Sequence, residues 1–536
     1  MLKSLLRRAV VLSLGASVGF SAVMVTALPL TVHAKTFRWT DQGDANTMDP
    51  HAQNELLTNA INGQVYETLL NRDKQMKLKA VLATEWQQTG PKQWQLKLRR
   101  DVKFHDGSAF TAEDVVFSVK RAQENTSAIK SYALGLGEPR KADDFTVEFN
   151  LKDVNPIFLE HATLIQIMSK AWCEKNNSAK PQDFKNKQET HTALNANGTG
   201  PYVLKSRQPD VRTVHTLNPN YWGKIEGNVT EVIFTPLKSD PTRTAALLSN
   251  EVDFLHDPAT NDVQKLRASP NVKVIDGMEN RVLFIGMDQS RDELLYSDVK
   301  GKNPFKDRRV RLALYQAIDI EAIKTRLMRN QAFPTGAIMP SPLGTYNDPE
   351  IEKRRAYDVA EAKRLMAEAG YPNGFSVQLD CPNNRYINDE EICSALANMW
   401  AQLGMKIKVL AMPRGPFFAK GQKRDVSMYL LGWGGAITDG QTTFDQIYHS
   451  KTASGKGDWN WGDVKNPTID ALEEQQALEA DPKKREVIVR KLLKEMNDQV
   501  FYLPLHRQVI PWAARSHVDV VHRPDNWLEY QWITVR

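Results

Sequence analysis

From Thr36 to the end of the chain, stretches with the two-residue period of strands alternate with stretches of helical period, and no Gly/Ser/Pro-rich linker interrupts them. Such alternation predicts an α/β protein. With 536 residues the chain is long enough for two to four domains. The missing linkers predict lobes crossed by several chain segments rather than beads on a string. Leu56, Ile61, Val65 and Leu69 predict a helix over 55–70. Trp94, Leu96 and Leu98 alternate with polar residues, as do Phe145, Val147 and Phe149. Thr111 with Asp114 three residues on reads as a capping box opening a helix over 112–124. Helices are also predicted over 155–168 and over 308–329, the latter with Val310, Leu314, Ile318 and Ile323 inward. Two short apolar strands are predicted at 272–275 and 282–287, and a strand-rich tail over 518–535.

The first 34 residues stand apart. Lys3, Arg7 and Arg8 precede an apolar run over 9–30, and Val32-His33-Ala34 is small at both key positions before Lys35. This pattern predicts a secretory signal peptide cleaved after Ala34. A retained membrane anchor is the alternative, since the run is long enough to span a bilayer. Gly, Ser and Thr dilute it and Pro29 ends it, and no cysteine lies near the cleavage site to carry a lipid. An exported chain without an anchor is expected in a periplasm. The formal net charge is +6, and three of the positive charges belong to this segment, so the rest carries only +3. That balance argues against a nucleic-acid partner.

Of the three cysteines, Cys381 and Cys393 flank a loop-to-helix passage and are the favoured disulfide pair, leaving Cys173 over. Three buried thiols are the alternative. No C-x-x-C suggests zinc, and no G-x-S-x-G, H-E-x-x-H or G-x-x-x-x-G-K-[ST] frame is present. No cofactor, metal site or catalytic group is predicted. His105 reads as a structural turn residue, and His506-Arg507 as either cleft lining or core.

Several short motifs occur in order. Residues 82–86 read L-A-T-E-W, 94–107 read W-Q-L-K-L-R-R-D-V-K-F-H-D-G, and 110–118 read F-T-A-E-D-V-V-F-S. M-D-P stands at 48–50, Y-E-T-L at 66–69, G-T-G-P-Y at 198–202 and N-P-N-Y-W-G at 218–223. N-P-F at 303–305 leads to A-I-D at 317–319, and A-K-R-L-M-A-E-A-G-Y-P occupies 362–372. Together they resemble the dipeptide/oligopeptide-binding family of ABC-importer solute receptors (extracellular solute-binding protein family 5), along the whole mature chain.

The resemblance implies a two-lobed, hinged periplasmic-binding-protein fold with an additional third domain. By analogy lobe I takes 35–70, 195–292 and 512–536, the additional domain 71–194, and lobe III 293–511. It implies a monomeric receptor that closes on a peptide or peptide-like ligand and hands it to membrane permease subunits. Such receptors hold the ligand's amino group with an Asp in a W-x-x-D segment of lobe III. Here that segment is Trp433-Gly434-Gly435-Ala436, with Asp439 three residues further on. Ala436 stands where the acid is expected, and Asp439 matches either a shifted acid or the family's next, structural Asp. Trp433 is assigned to the cleft wall ahead of core packing. Arg385 is the first candidate for a ligand carboxylate, with Tyr386 stacking beside it and Arg414 second. Asn46, Thr47 and Met48, in the loop after the first strand, complete the expected contacts. The departure at Ala436 gives weight to a non-peptide ligand such as an opine, a glycan fragment or a metal chelate. A periplasmic peptidase and a chaperone or signalling receptor are the more distant readings.

Overall fold

The computed structural model describes residues 35–536 except Lys185, Lys187, 340–348, Asn384, 435–438 and 453–454. The leader, its cleavage point and Ala436 lie outside the described residues. Lys35–Arg536 forms one compact unit. None of the described helices is long and apolar enough to cross a membrane.

Among the described residues, eleven strands join into one mixed sheet. Its middle is made by two long strands, Val272–Met287 and Leu503–Arg515, paired antiparallel. On one side follow Phe254–Leu255, Thr36–Thr40, Glu231–Phe234, Arg212–Leu217 and Tyr202–Gln208; on the other, Met428–Gly434, Ser376–Pro382 and Lys406–Met412; the eleventh, Ala332–Pro334, pairs with Leu503–Arg515 off this order. The long pair breaks register between Met278 and Val282. Before the break Val272–Met278 faces Val509–Arg515; after it Val282–Ile285 faces Leu503–Arg507. Only the later half of Val272–Met287 also pairs with Met428–Gly434. Two half-sheets are thus joined by two continuous strands. The boundary expected at 511/512 falls inside the second of these, while the register change lies nearer Arg507–Val509.

The apolar side chains gather in separate clusters. One is drawn from Leu69 to Ile167 and packs under a four-stranded antiparallel sheet, Ala83–Gly90, Gln93–Leu98, Thr146–Asn150 and Glu138–Asp143. A second combines Phe37–Tyr66, Met168–Phe254 and Ile510–Val535. Two more come from residues between Val282 and Leu505. The capping box forms as read, with the Thr111 amide donating to Asp114 at 2.9 Å ahead of Ala112–Ala122.

Several elements depart from the periodicity. The 308–329 helix stops at Gln316, because Asp319 accepts the Ala322 amide at 2.9 Å and starts a new short helix. Val310, Leu314, Ile318 and Ile323 are all buried nonetheless. The 55–70 helix shrinks to Leu56–Asn62 and the 155–168 helix to Phe158–His161. The tail is extended mostly without pairing, in strands only at Val518–Asp519 and Thr534–Val535.

Candidate ligand-binding cleft

The motifs that stand out in the sequence form sealed polar nodes. Asp49, from M-D-P, accepts two hydrogen bonds from the Arg121 guanidinium at 2.9 and 2.5 Å, and both side chains are fully buried. The His51 and Gln182 amides and the Thr192 hydroxyl complete its shell. Burial alone would raise the Asp49 carboxyl, but the charge and hydrogen bonds of Arg121 outweigh it and hold the group at about 2. Glu67, from Y-E-T-L, accepts from Thr199 of G-T-G-P-Y at 2.8 Å and from Tyr221 and Trp222 of N-P-N-Y-W-G at 2.9 and 2.8 Å. Three motifs distant in sequence therefore meet at one carboxyl, which burial pushes up to about 7. Gly198 and Gly200 pack directly on the turn after Leu56–Asn62, where an added Cβ would lie 2.0 and 2.7 Å from the Val65 carbonyl oxygen. The turn histidine His105 bonds the Gly200 carbonyl from Nε2 at 3.0 Å.

Between these packed regions lies a cleft of about 1990 Å³. Its walls come from all three sequence regions: the loops after Thr36–Thr40 and Phe254–Leu255, the segments 129–135 and 151–166, and residues of 383–478. The middle of the long strand, Glu279, Asn280 and Arg281, lies between them on the cleft, with Arg281 Nε 3.0 Å from Glu279.

The structure brings together Arg385, Tyr386, Trp433, Gly434 and Asn46 on this cleft. Arg385 and Tyr386 leave the C-terminal end of Ser376–Pro382, and both backbone amides donate to Asp389 Oδ2, at 2.9 and 3.0 Å. The Arg385 guanidinium carbon lies 5.1 Å from the centre of the Tyr386 ring. Tyr386 donates its hydroxyl to the Gly432 carbonyl at 3.3 Å, and its ring fits only because residue 432 has no Cβ, which would approach it to 2.6 Å. Trp433 is half-buried and stands against Trp459, ring centres 5.7 Å apart, with Phe418 beyond at 5.7 Å from Trp459. All three line the cleft.

Three expected contacts are elsewhere. Thr47 and Met48 point into the core rather than the cleft: Thr47 donates to Gln182 at 2.6 Å and Met48 packs with Phe37 and Trp39 in the apolar cluster. Asp439 is buried in a two-pronged pair with Arg485, at 2.7 and 2.9 Å, and is consumed there as a structural ion. His506 is fully buried and Arg507 pairs with Glu352 at 2.8 Å. Arg414 opens the helix Arg414–Gln422 beside Gly415, which lines the cleft. Cys381 and Cys393 are joined as a disulfide, Cα atoms 6.7 Å apart, and Cys173 is buried in another cluster.

The sequence reading missed the ionic group on the opposite wall. His256 and Asp257 follow Phe254–Leu255, and Asp41 follows Thr36–Thr40, the strand paired beside it. His256 Nδ1 lies 2.6 Å from Asp41 and Nε2 lies 3.3 Å from the Asn526 carbonyl oxygen. Both ring nitrogens face acceptors, so both donate and the ring is an imidazolium. Burial alone would lower His256, but Asp257 and Asp41 outweigh it and raise the group to about 9. The three residues bring ligating atoms within 4.8 Å of one another. Asp257 accepts from Asn526 Nδ2 at 3.1 Å and keeps a third of its side chain open to the cleft. Burial raises its carboxyl to about 6 despite His256. The His256-Asp257-Pro258 triplet at a strand end was the signal available in the sequence.

Comparison with known proteins agrees with this architecture. The chain is 27% identical over 417 residues to the glutathione-binding protein GsiB of Escherichia coli, covering 76% of each. Among solved structures it superposes on the periplasmic binding protein DppA of Helicobacter pylori in complex with the peptide STSA (TM-score 0.77, 20% identity, 94% of this chain and 98% of that one). It also superposes on NikZ of Campylobacter jejuni in complex with Ni(L-His) (TM-score 0.75, 20% identity, 90% and 94% covered). Residues 77–455 match the family described as bacterial extracellular solute-binding proteins, family 5 Middle, and the chain belongs to that family.

Proposed function

We propose that this protein is the periplasmic receptor of an ABC importer, exported by a leader cleaved after Ala34, and that it captures a peptide or peptide-like solute for delivery to permease subunits. The observation that carries the reading is the cleft. At about 1990 Å³ it exceeds the ~300–1,000 Å³ of ordinary small-molecule pockets and suits an extended ligand. Membership of a solute-binding family, with GsiB and DppA among the relatives, supports capture without catalysis.

A zwitterionic solute loses the hydration of both ends on burial, so each end needs an opposite charge. In this reading Arg385 takes the carboxylate through paired N–H donors. Asp257, a third open to the cleft and already oriented by Asn526, takes the ammonium that Ala436 cannot. Trp433, Trp459 and Phe418 cover the apolar part of the solute. The second reading, a non-peptide solute, draws on Ala436 and on the relation to NikZ.

Native mass spectrometry of protein purified from periplasm without denaturation tests both. Peptide masses on a chain beginning at Lys35 are the expected result. A single non-peptide mass moves the assignment to the second reading, and a chain retaining residues 1–34 removes the cleaved leader.

A further inference from the structure

We infer that the Cys381–Cys393 cystine is a positioning element of the binding site, holding the segment between them so that Arg385 and Tyr386 face the cleft. The inference rests on the ligand role proposed for Arg385.

The two elements that the cystine joins are already fixed by other forces. Cys381 is the last but one residue of Ser376–Pro382, which pairs with Lys406–Met412 and Met428–Gly434. Cys393 lies in the helix Asp389–Trp400, anchored by the fully buried Ile392, Leu396 and Trp400. Neither needs a covalent bond to stay in place. The segment between them is held less closely: among its described residues the Ile387 side chain packs in two clusters and one side of the Tyr386 ring packs in the core, while Asn383, Arg385 and Asn388 line the cleft together with Tyr386. Among its described residues, three backbone amides are bonded. Asn383 donates to the Met412 carbonyl at 3.0 Å, and Arg385 and Tyr386 both donate to Asp389 Oδ2. Asn388, in the left-handed region at φ 55°, turns the chain into the helix and bonds Thr260 and the Leu327 carbonyl through its side chain.

Asp389 is the first residue of the helix, so the direction of the Arg385 backbone is set by where that first turn sits relative to the sheet. The cystine ties those two together one turn away, across a sequence separation of 12. Closing so short a segment removes conformations that would carry Arg385 away from the cleft, and less freedom is then lost on binding.

The test is amide hydrogen exchange on the full protein, oxidised and as Cys381→Ala with Cys393→Ala. Exchange of the 383–391 amides is expected to rise at least tenfold while 406–412 and 396–400 stay unchanged. No rise, or a rise spread equally over the helix and both neighbouring strands, overturns the inference and leaves the cystine a general staple. If the double alanine variant fails to fold, Cys381→Val with Cys393→Ala refills the space and is judged by the same pattern. Trialanine calorimetry supplies a second readout. Arg385→Ala is expected to lower trialanine affinity tenfold or more in the oxidised protein and less than threefold in the cystine-free one; equal losses in both overturn the inference. Failure of the wild type to bind trialanine counts against the peptide reading alone, and the exchange pattern still decides the role of the cystine.

Discussion

Asp49 and Asp257 are both aspartates in loops that follow strands of the same half-sheet, and they have opposite fates. Asp49 is sealed, meets a guanidinium face to face, and is held near 2. Asp257 opens onto the cleft, shares one imidazolium with Asp41, and is raised to about 6. The difference lies in completeness. The Asp49 shell is filled by Arg121, His51, Gln182 and Thr192, so nothing remains for a ligand to supply. Asp257 is held by Asn526 and His256 but keeps a third of its side chain exposed, the opening that the proposed reading gives to a cation of the solute.

The largest effect that tests this contrast is on stability. Arg121→Ala leaves Asp49 charged and unpaired in the core, and is expected to cost about 3–5 kcal/mol in urea denaturation. The folded fraction should keep its solute affinity, because neither residue reaches the cleft. A loss of affinity with unchanged stability would invert the comparison.

Next in size is Arg385→Ala. Charge-assisted hydrogen bonds contribute about 1.5–3 kcal/mol each, so calorimetry with the co-purified solute should show affinity falling by about tenfold to a hundredfold. Stability should move by no more than about 0.5 kcal/mol, as for other substitutions away from the packed interior. Unchanged affinity removes Arg385 from the site. Thr47→Ala is the matched contrast, with a stability cost of about 1 kcal/mol from the lost buried hydrogen bond and no change in binding.

How much of this the sequence made legible follows the same division. Period and caps gave the α/β class, the Thr111 cap and the buried face of 308–329. They failed where function bends the pattern. Val272–Met287 reads as two short strands because its middle, Asp276 to Arg281, is polar, and that stretch is polar where Glu279, Asn280 and Arg281 face the cleft. Motif order revealed the family, yet the motif residues Asp49, Glu67, Thr199, Tyr221 and Trp222 serve the nodes and not the ligand. Asn46, Thr47 and Met48 are expected in the cleft together, as the loop after the first strand. Thr47 and Met48 instead turn inward, Thr47 bonded to Gln182 and to the Asp49 amide and Met48 packed in the apolar cluster. Arg385, with Tyr386 beside it, was legible because it follows a strand end, and Trp433 because it opens the segment that the family resemblance places at the ligand. Asp257 was not, since its environment is assembled from Asp41, His256 and Asn526, which only pairing of distant strands brings together.

The smallest expected effect sharpens the role of Asp257 by pH. A ligand ammonium binds the ionised carboxylate, so affinity should be near full at about pH 7 and fall as pH drops through the raised Asp257 value of about 6. His256 keeps its proton until about 9 and therefore does not titrate in this window. A free α-amine is half deprotonated at about pH 7.7–8.0, so affinity falls again through that range, giving a bell. Because Asp257 is a third exposed, solvent screens the pair, and the acid limb should amount to a few-fold and no more than about tenfold. Asp257→Asn keeps the shape, removes the charge and should flatten that limb while leaving the alkaline one reduced but present. An acid limb that persists in Asp257→Asn assigns the ammonium to another carboxylate of the cleft, and a flat wild-type profile from pH 5 to 7 returns the amino end of the solute to water.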